Sequence, residues 1–156
     1  MNIDHMDDVL TERWNSRVGE NDVVFVLGDL AMGNRGNRTI ETINRLNGWI
    51  ILIRGNHDCK PQFYKDVDKV IKTYRWFRYR GVYMVHNVVD SPADDLVMCG
   101  HVHEVWKIKF PGMGCFSKGI YQERVRGALN VGVDIWDYYP IRFDDAKRVL
   151  TAFGKF

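Results

Sequence analysis

The sequence contains little cysteine and proline. Its 156 residues include three cysteines and four prolines, and Cys59, Cys99 and Cys115 are scattered with no C-x-x-C pair among them. This pattern argues against a disulfide framework and against a zinc site made of thiolates. A low and unpaired cysteine content is instead typical of a reducing compartment, so we expect a cytoplasmic protein.

The sequence also has no large excess of charge of one sign and no long apolar run. The 22 Lys and Arg residues almost balance the 20 Asp and Glu residues, and no basic stripe of the kind used by nucleic-acid-binding proteins is present. The longest apolar runs, such as residues 23–27 and 49–53, have the length of a strand and fall well short of a membrane span. We expect no membrane association and no nucleic-acid partner, while oligomer formation stays open.

A chain of this length corresponds to one domain, and no linker or repeat interrupts residues 1–156. Helical spacing of apolar residues predicts helices at residues 7–18 and 40–46 and a closing helix capped by Asp144. Short apolar runs between them predict strands. The strands are expected at residues 23–27, 49–53, 70–80, 82–85, 96–99, 128–133 and 141–143. This mixture predicts a single domain of the α/β (α+β) class.

Four of the apolar runs end in residues that can bind a metal. Parallel strands in α/β proteins direct their carboxyl ends toward one crevice, so we expect these residues to lie around one point. Glycines precede three of the groups, where the chain has to turn sharply. The candidate ligands are Asp29 after residues 23–27, Asn56 and His57 after 49–53, His86 after 82–85, and His101 and His103 after 96–99.

Each candidate has an ordinary alternative when it is taken alone. Asp29 fits a turn or a helix cap, His57 and Asp58 fit a loop ion pair, and His86 fits a hydrogen-bonded, half-buried histidine. Their arrangement as a set favours a metal site. Imidazoles with a carboxylate and an amide oxygen, and without thiolate, suit Mn, Fe, Zn, Ni or Co better than Ca or Cu(I).

The same residues resemble the signature of the calcineurin-like metallophosphoesterase superfamily, in its small bacterial and phage branch. The resemblance implies a metallophosphoesterase-type β-sandwich flanked by helices. The matching blocks are Gly28-Asp29, Gly55-Asn56-His57-Asp58, His86, Gly100-His101-Val102-His103 and Asn130-Val131-Gly132-Val133-Asp134-Ile135-Trp136.

This resemblance implies a role for each metal-binding residue. Asp29 would bridge two divalent ions of a transition metal such as Mn, Fe, Zn or Ni. Asn56, His86 and His101 would complete the site of one ion, and His103 would belong to the other. Two such ions polarise a phosphoryl oxygen and generate hydroxide near neutral pH.

The implied activity is metal-dependent hydrolysis of a phosphomonoester or phosphodiester by an activated water. His57 would act as general acid or oxyanion-stabilising group, oriented by Asp58. Apart from the resemblance, Arg54 lies near the expected mouth of the site, as do Arg35, Arg38 and Lys60, and is a candidate for contacting phosphate, although surface solubility is the more ordinary explanation of each. The expected substrate is a phosphorylated small molecule or a nucleotide.

The family signature normally opens with a strand that ends in Asp-x-His, and no such block precedes residue 7. The expectation is therefore a sandwich with its first strand missing. Because Asp-x-His supplies most of the second metal site, the resemblance implies two ions for the family and at least one for this chain, whose second site keeps only Asp29 and His103. An alternative function follows, namely a metal-binding but catalytically weak or inactive member with a structural or partner-binding role.

Overall fold

The computed structural model describes residues 3–31, 36–93, 95–110 and 125–153, so Cys115 lies outside the described part of the chain. Helices and strands are mixed along the chain, as the α/β prediction requires. In chain order the elements are α1 (Ile3–Asn15), β1 (Val23–Val26), α2 (Asn37–Asn44), β2 (Trp49–Ile53), β3 (Val70–Tyr74), β4 (Trp76–Tyr79), β5 (Val82–Val85), β6 (Leu96–Cys99), β7 (Ile108–Lys109), β8 (Gly127–Asn130) and α3 (Phe143–Phe153).

The strands form two sheets. The first has the order β1-β2-β3 and all of its pairs are parallel. The second has the order β4-β5-β6-β8-β7, in which β5, β6 and β8 run parallel while β4 and β7 pair antiparallel at the two edges. The parallel strands at the centre of each sheet bring their carboxyl ends to one side, which is where the polar candidates follow.

The two sheets face each other across a shared core. Ile53 of β2 and Met84 of β5 lie in one cluster of buried side chains, to which Leu150 of α3 also belongs. Alternate residues face outward, so that Leu52 of β2 packs with Ile43 of α2 on the other side of the first sheet. Because both faces of the central strands are covered, their sequences are apolar at every position.

Three strand predictions need correction. The strand expected at residues 141–143 is wrong, because Phe143 begins α3 and Asp144 lies in its first turn rather than at a cap ahead of it. The apolar side chains there pack against the core from a helix start, which a short apolar run cannot distinguish from a strand. The stretch 70–80 forms two strands in different sheets, and the strand expected at 128–133 ends at Asn130.

The helices of the described residues do not meet the requirements of a membrane-spanning helix. None of them combines the length and the apolar composition that crossing a bilayer requires.

Packing of α3 on the second sheet gives a test of the core. Leu150 has no exposed surface, so Leu150→Ala leaves a cavity and should lower the free energy of unfolding by about 2–5 kcal/mol. Met6 of α1 is 46% exposed, and Met6→Ala, which also favours helix, should change the same quantity by less than about 0.5 kcal/mol. Urea denaturation followed by circular dichroism measures both. Equal losses from the two variants would contradict the packing described.

Candidate metal centre

Four loops meet at the carboxyl ends of four parallel strands, the edge strand β1 and the inner strands β2, β5 and β6. Asp29 follows β1, Asn56 follows β2, His86 follows β5 directly, and His101 follows β6. The backbone carbonyl of His86 accepts hydrogen bonds from the backbone N–H groups of Gly100 (3.1 Å) and His101 (3.0 Å). The structure therefore brings these four predicted ligands together from both sheets.

His86 lies at the middle of this group and has a defined tautomer. Its side chain is buried, and its Nδ1 lies 2.8 Å from the backbone carbonyl oxygen of Leu27. A carbonyl oxygen only accepts hydrogen bonds, so Nδ1 carries the hydrogen. In the neutral ring Nε2 is then left with a free lone pair.

Three polar atoms surround that lone pair. Asn56 Oδ1 and His101 Nδ1 each lie 2.9 Å from His86 Nε2, and Asp29 Oδ2 lies 3.4 Å from it. Asn56 Oδ1 and Asp29 Oδ2 both offer lone pairs toward this point, and such crowding of acceptors is stabilised by a cation between them. Metal–ligand bonds of about 2.1 Å place neighbouring ligands about 3.0–3.4 Å apart, which matches these separations. The donor set therefore fits a divalent transition metal.

The pKa of His101 depends on the charged and titratable groups around it. Burial of the imidazole lowers the pKa of His101, and the neighbouring His86 lowers the pKa further. Asp29 raises it, while His103 and His57 also lower it, so all four act on one ring. A lowered pKa keeps His101 neutral at pH 7, which is the form that binds a metal.

His57 and His103 approach the group from opposite loops. The backbone N–H of His57 donates to Asp29 Oδ1 at 3.0 Å, and its side chain belongs to an exposed residue. His103 is 73% exposed, and its Nδ1 lies 3.0 Å from Asp134 Oδ2. Ligand atoms of His103, Glu104 and Asp134 all lie within 4.8 Å of one another. Four predicted ligands thus form a tight group around His86, and the fifth, His103, lies in a more exposed group with Glu104 and Asp134, which were not predicted.

Two glycines make the close approach of these loops possible. A Cβ at Gly28 would collide with the His86 imidazole and with the backbone of Gly55, and Gly28 has a φ of 98°. A Cβ at Gly55 would collide with the Asp29 carboxylate. The glycines that sequence analysis assigned to sharp turns therefore also leave the space that the ligand side chains occupy.

Asp58 holds the loops rather than the His57 ring. Its Oδ2 accepts the backbone N–H groups of Asp29 (2.8 Å) and Gly55 (2.7 Å). Its Oδ1 accepts the Tyr64 hydroxyl (2.7 Å) and the Ala31 N–H (3.3 Å). These four donors match the capacity of a carboxylate. Among the described residues the structure gives no hydrogen bond between Asp58 and the His57 imidazole, so the predicted orienting contact is not formed here.

Arg54 lies between β2 and Asn56. Its backbone N–H donates to the carbonyl of Tyr74 at 2.8 Å. Its buried Nε has no hydrogen-bond partner among the described residues, which is a costly state for a charged group.

Sequence analysis missed three residues that support the site, namely Tyr64, Asn130 and Asp134. Asn130 follows the same rule as the ligands, because it is the last residue of a parallel strand. Because the strand was predicted to continue to residue 133, Asn130 was not recognised as a residue at a strand end. Asp134 was part of a recognised block but had no role, and no sequence signal singled out Tyr64.

A cavity of about 970 Å³ lies away from this group. It is bordered by β1 residues such as Phe25 and by Trp136 and Phe143, and none of the predicted ligands lines it. Its apolar walls belong to the core between the sheets. The arrangement of ligand atoms, rather than the volume of a cavity, therefore identifies the candidate centre.

The chain belongs to the calcineurin-like phosphoesterase family, whose model matches residues 3–156. Members of this family are in general metal-dependent hydrolases of phosphoesters, and they usually bind divalent metals. The family places the ligand group described above in the context of phosphoester chemistry.

Individual relatives agree with this assignment. The chain is 29% identical over 147 residues to the uncharacterised protein MJ1445 of Methanocaldococcus jannaschii, covering 92% of this chain and 74% of that protein. It is 33% identical to the Gene 66 protein of Mycobacterium phage L5, covering 86% and 76%. The fold is similar to a protein of unknown function, AQ665 from Aquifex aeolicus, with a TM-score of 0.63 at 22% identity over 92% and 84% of the two chains.

The Asp58 contacts predict a large effect of removing its carboxylate. Asp58→Ala leaves the backbone donors at Asp29 and Gly55 without partners, and should lower the free energy of unfolding by on the order of 3 kcal/mol or more. Asp66→Ala changes an exposed aspartate nearby and should cost less than about 0.5 kcal/mol. Urea denaturation of the metal-free proteins compares them. A loss from Asp58→Ala no larger than that of the control would refute the holding role.

The lowered pKa of His101 predicts a pH dependence. As the pH falls, His101 of the unfolded chain takes up a proton near its ordinary pKa of about 6.5, whereas His101 of the folded chain takes it up at a lower pH. The contribution of His101 to stability is therefore complete above about pH 6.5 and decreases as the pH falls below that value. Urea denaturation of the metal-free protein at about pH 7.5 and 5.5 measures it, with His101→Gln as reference. The variant should lose less stability on acidification, and an equal loss would contradict the assignment.

Proposed function

We propose that this protein hydrolyses phosphoester bonds, using divalent transition-metal ions held at the carboxyl ends of its central strands. Asp29, Asn56, His86 and His101 hold one ion. Asp29 and His103 are the two family ligands that this sequence retains for a second ion in the absence of an Asp-x-His block. The observation that carries the proposal is the crowding of three polar atoms around His86 Nε2 in a chain of the phosphoesterase family.

When bound, such ions polarise the phosphoryl oxygens and lower the pKa of a water molecule so that it attacks phosphorus at neutral pH. The protein supplies the geometry. His86 is fixed by the Leu27 carbonyl and Asp29 by the backbone of His57, so both ligands are oriented before an ion arrives. A site that is organised in advance does not spend binding energy on ordering its ligands.

His57 is the group we assign to the leaving oxygen. Its backbone is tied to the Asp29 carboxylate, which places the residue beside the proposed bridging ligand. Its side chain is exposed and therefore accessible to a substrate. Imidazole transfers protons near neutral pH, so His57 protonates the leaving alkoxide or stabilises the charge that develops on it.

The substrate that fits this site is a phosphorylated small molecule, with nucleotides among the candidates. Arg54 follows β2 two residues before Asn56, and this position beside the proposed ligands supports a role for its guanidinium in phosphate binding. The imidazole, carboxylate and amide ligands support Mn, Fe, Zn or Ni as the metal.

Substitution of Asp29 and His57 separates metal binding from turnover. Asp29→Ala should abolish hydrolysis of a chromogenic phosphodiester and phosphomonoester and should also abolish tight Mn²⁺ binding in calorimetry, because it removes the proposed bridging ligand. His57→Ala should keep Mn²⁺ binding and lower kcat by about 10²–10⁴-fold.

His5→Ala provides the control, since His5 is an exposed histidine of α1 and should leave both quantities unchanged. Loss of Mn²⁺ binding in His57→Ala would overturn the role assigned to that residue. Tight Mn²⁺ binding by the unsubstituted protein, without turnover of either substrate in Mn, Fe, Zn or Ni, would identify a metal-binding protein instead of an enzyme.

A further inference from the structure

We propose that Asp134 is a positioning residue for His103. Its carboxylate accepts the hydrogen on His103 Nδ1 and so leaves Nε2 of that ring free, in a fixed direction, to bind the second metal ion. This inference rests on the proposed function, because it takes His103 to be a metal ligand. It assigns a role to a residue outside the predicted ligand set.

The contact between the two side chains is well defined. His103 Nδ1 lies 3.0 Å from Asp134 Oδ2. The Asp134 side chain is only 21% exposed, and its other oxygen accepts the backbone N–H of Ile135 at 3.1 Å. One oxygen therefore anchors the carboxylate to a 3-10 helix at Val133–Ile135, and the other is left for His103.

The His103 side chain needs such a partner because it is 73% exposed. An exposed imidazole samples several rotamers and exchanges between its two neutral tautomers. A ligand that has to be ordered on binding has a lower affinity than one that is already ordered. A hydrogen bond from Nδ1 to a carboxylate restricts both the rotamer and the tautomer, and it makes the opposite nitrogen a stronger ligand.

The backbone of His103 is held from the same segment. Its φ of 44° lies in the left-handed region, which is unfavourable for a non-glycine residue. Asn130, which has no exposed surface, donates from Nδ2 to the carbonyls of His103 and Trp106. Its Oδ1 accepts the backbone N–H of Gly132 at 2.9 Å. Both Nδ2–H donors of Asn130 and its Oδ1 are thus used to fix the two loops against each other.

Residues 130–134 therefore act as one unit. Asn130 at the end of β8 fixes the backbone of the loop that carries His103, and Asp134 fixes its ring. The same logic operates at His86, where the Leu27 carbonyl holds Nδ1 and leaves Nε2 for the metal. This explains physically why the chain has Asn and Asp at these two positions of the block that resembles the family.

Glu104 offers the competing explanation. Its carboxylate and that of Asp134 lie within 4.8 Å of the His103 ligand atom, so the three side chains together could form a cation site in which Asp134 is a direct ligand. The two explanations differ in what they require of Asp134. A positioning residue acts only through His103, whereas a direct ligand also binds when His103 is removed.

The first test examines the imidazole without any metal. Two-dimensional ¹H–¹⁵N correlation of the ring nitrogens, at about pH 8 where neutral imidazoles dominate, reports the tautomer of each of the five histidines. His103 should carry its hydrogen on Nδ1 in the unsubstituted protein and shift toward the Nε2–H form in Asp134→Ala. Asp134→Asn retains an acceptor oxygen and should restore part of the Nδ1–H population. An unchanged tautomer in Asp134→Ala would overturn the proposal.

The second test is a double-mutant cycle for Mn²⁺ binding, measured by calorimetry. Asp134→Ala should weaken the binding step that depends on His103 by about 10–100-fold. In a His103→Ala background the same change should have no further effect, and Glu104→Ala should leave the affinity unchanged. A further loss in the double variant, or an equal loss from Glu104→Ala, would overturn the proposal in favour of direct ligation.

These measurements remain informative if the proposed function fails. The tautomer shift needs neither a metal nor a substrate, and the binding cycle needs no turnover. A protein that shows both effects but hydrolyses no phosphoester would keep Asp134 as a positioning residue and lose only its assignment as an enzyme.

Discussion

One hydrogen bond, from His86 Nδ1 to the carbonyl of Leu27, connects the two sheets at the place where the candidate ligands meet. Leu27 follows β1 of the first sheet and His86 follows β5 of the second. The bond fixes the tautomer, so that Nε2 faces Asn56, Asp29 and His101 with its lone pair. This bond brings the His86 ring close to the backbone that follows Leu27. Residue 28 has to be glycine there, since a Cβ at that position would collide with the imidazole.

Much of this arrangement is accessible from the sequence because the central strands are buried on both faces. The strands predicted at residues 49–53, 82–85 and 96–99 have the same bounds as β2, β5 and β6. Each of them ends within three residues of a candidate ligand. A continuous apolar run ends where the chain leaves the core, so the next polar side chains necessarily lie at the carboxyl edge. The grouping of Asn56, His86 and His101 follows from this rule together with the parallel direction of the strands. Asp29 joins them from the edge strand β1, whose residues are at most partly buried.

What the sequence does not reveal is set by tertiary contacts. Residues 141–143 are apolar because they pack on the core ahead of α3, and no local pattern separates that use from a strand. The partner of Asp58 was predicted to be its neighbour His57, yet the carboxylate reaches Asp29, 29 residues away along the chain, and the Tyr64 hydroxyl. Adjacent residues in a loop do not share a direction, so adjacency is weak grounds for assigning a hydrogen-bond partner.

Asp58 and Asn130 show what such a site requires besides its ligands. Loops at the carboxyl edge contribute few backbone hydrogen bonds to either sheet, so their N–H and carbonyl groups need other partners. Asp58 takes up backbone donors from the loops after β1 and β2, and Asn130 donates to the carbonyls in the loop after β6. A carboxylate only accepts hydrogen bonds, so an aspartate at position 58 suits a site with several N–H donors. An amide both donates and accepts, so an asparagine at position 130 suits a site with carbonyls and an N–H group. The ligand geometry is therefore a property of these restraints as much as of the ligands themselves.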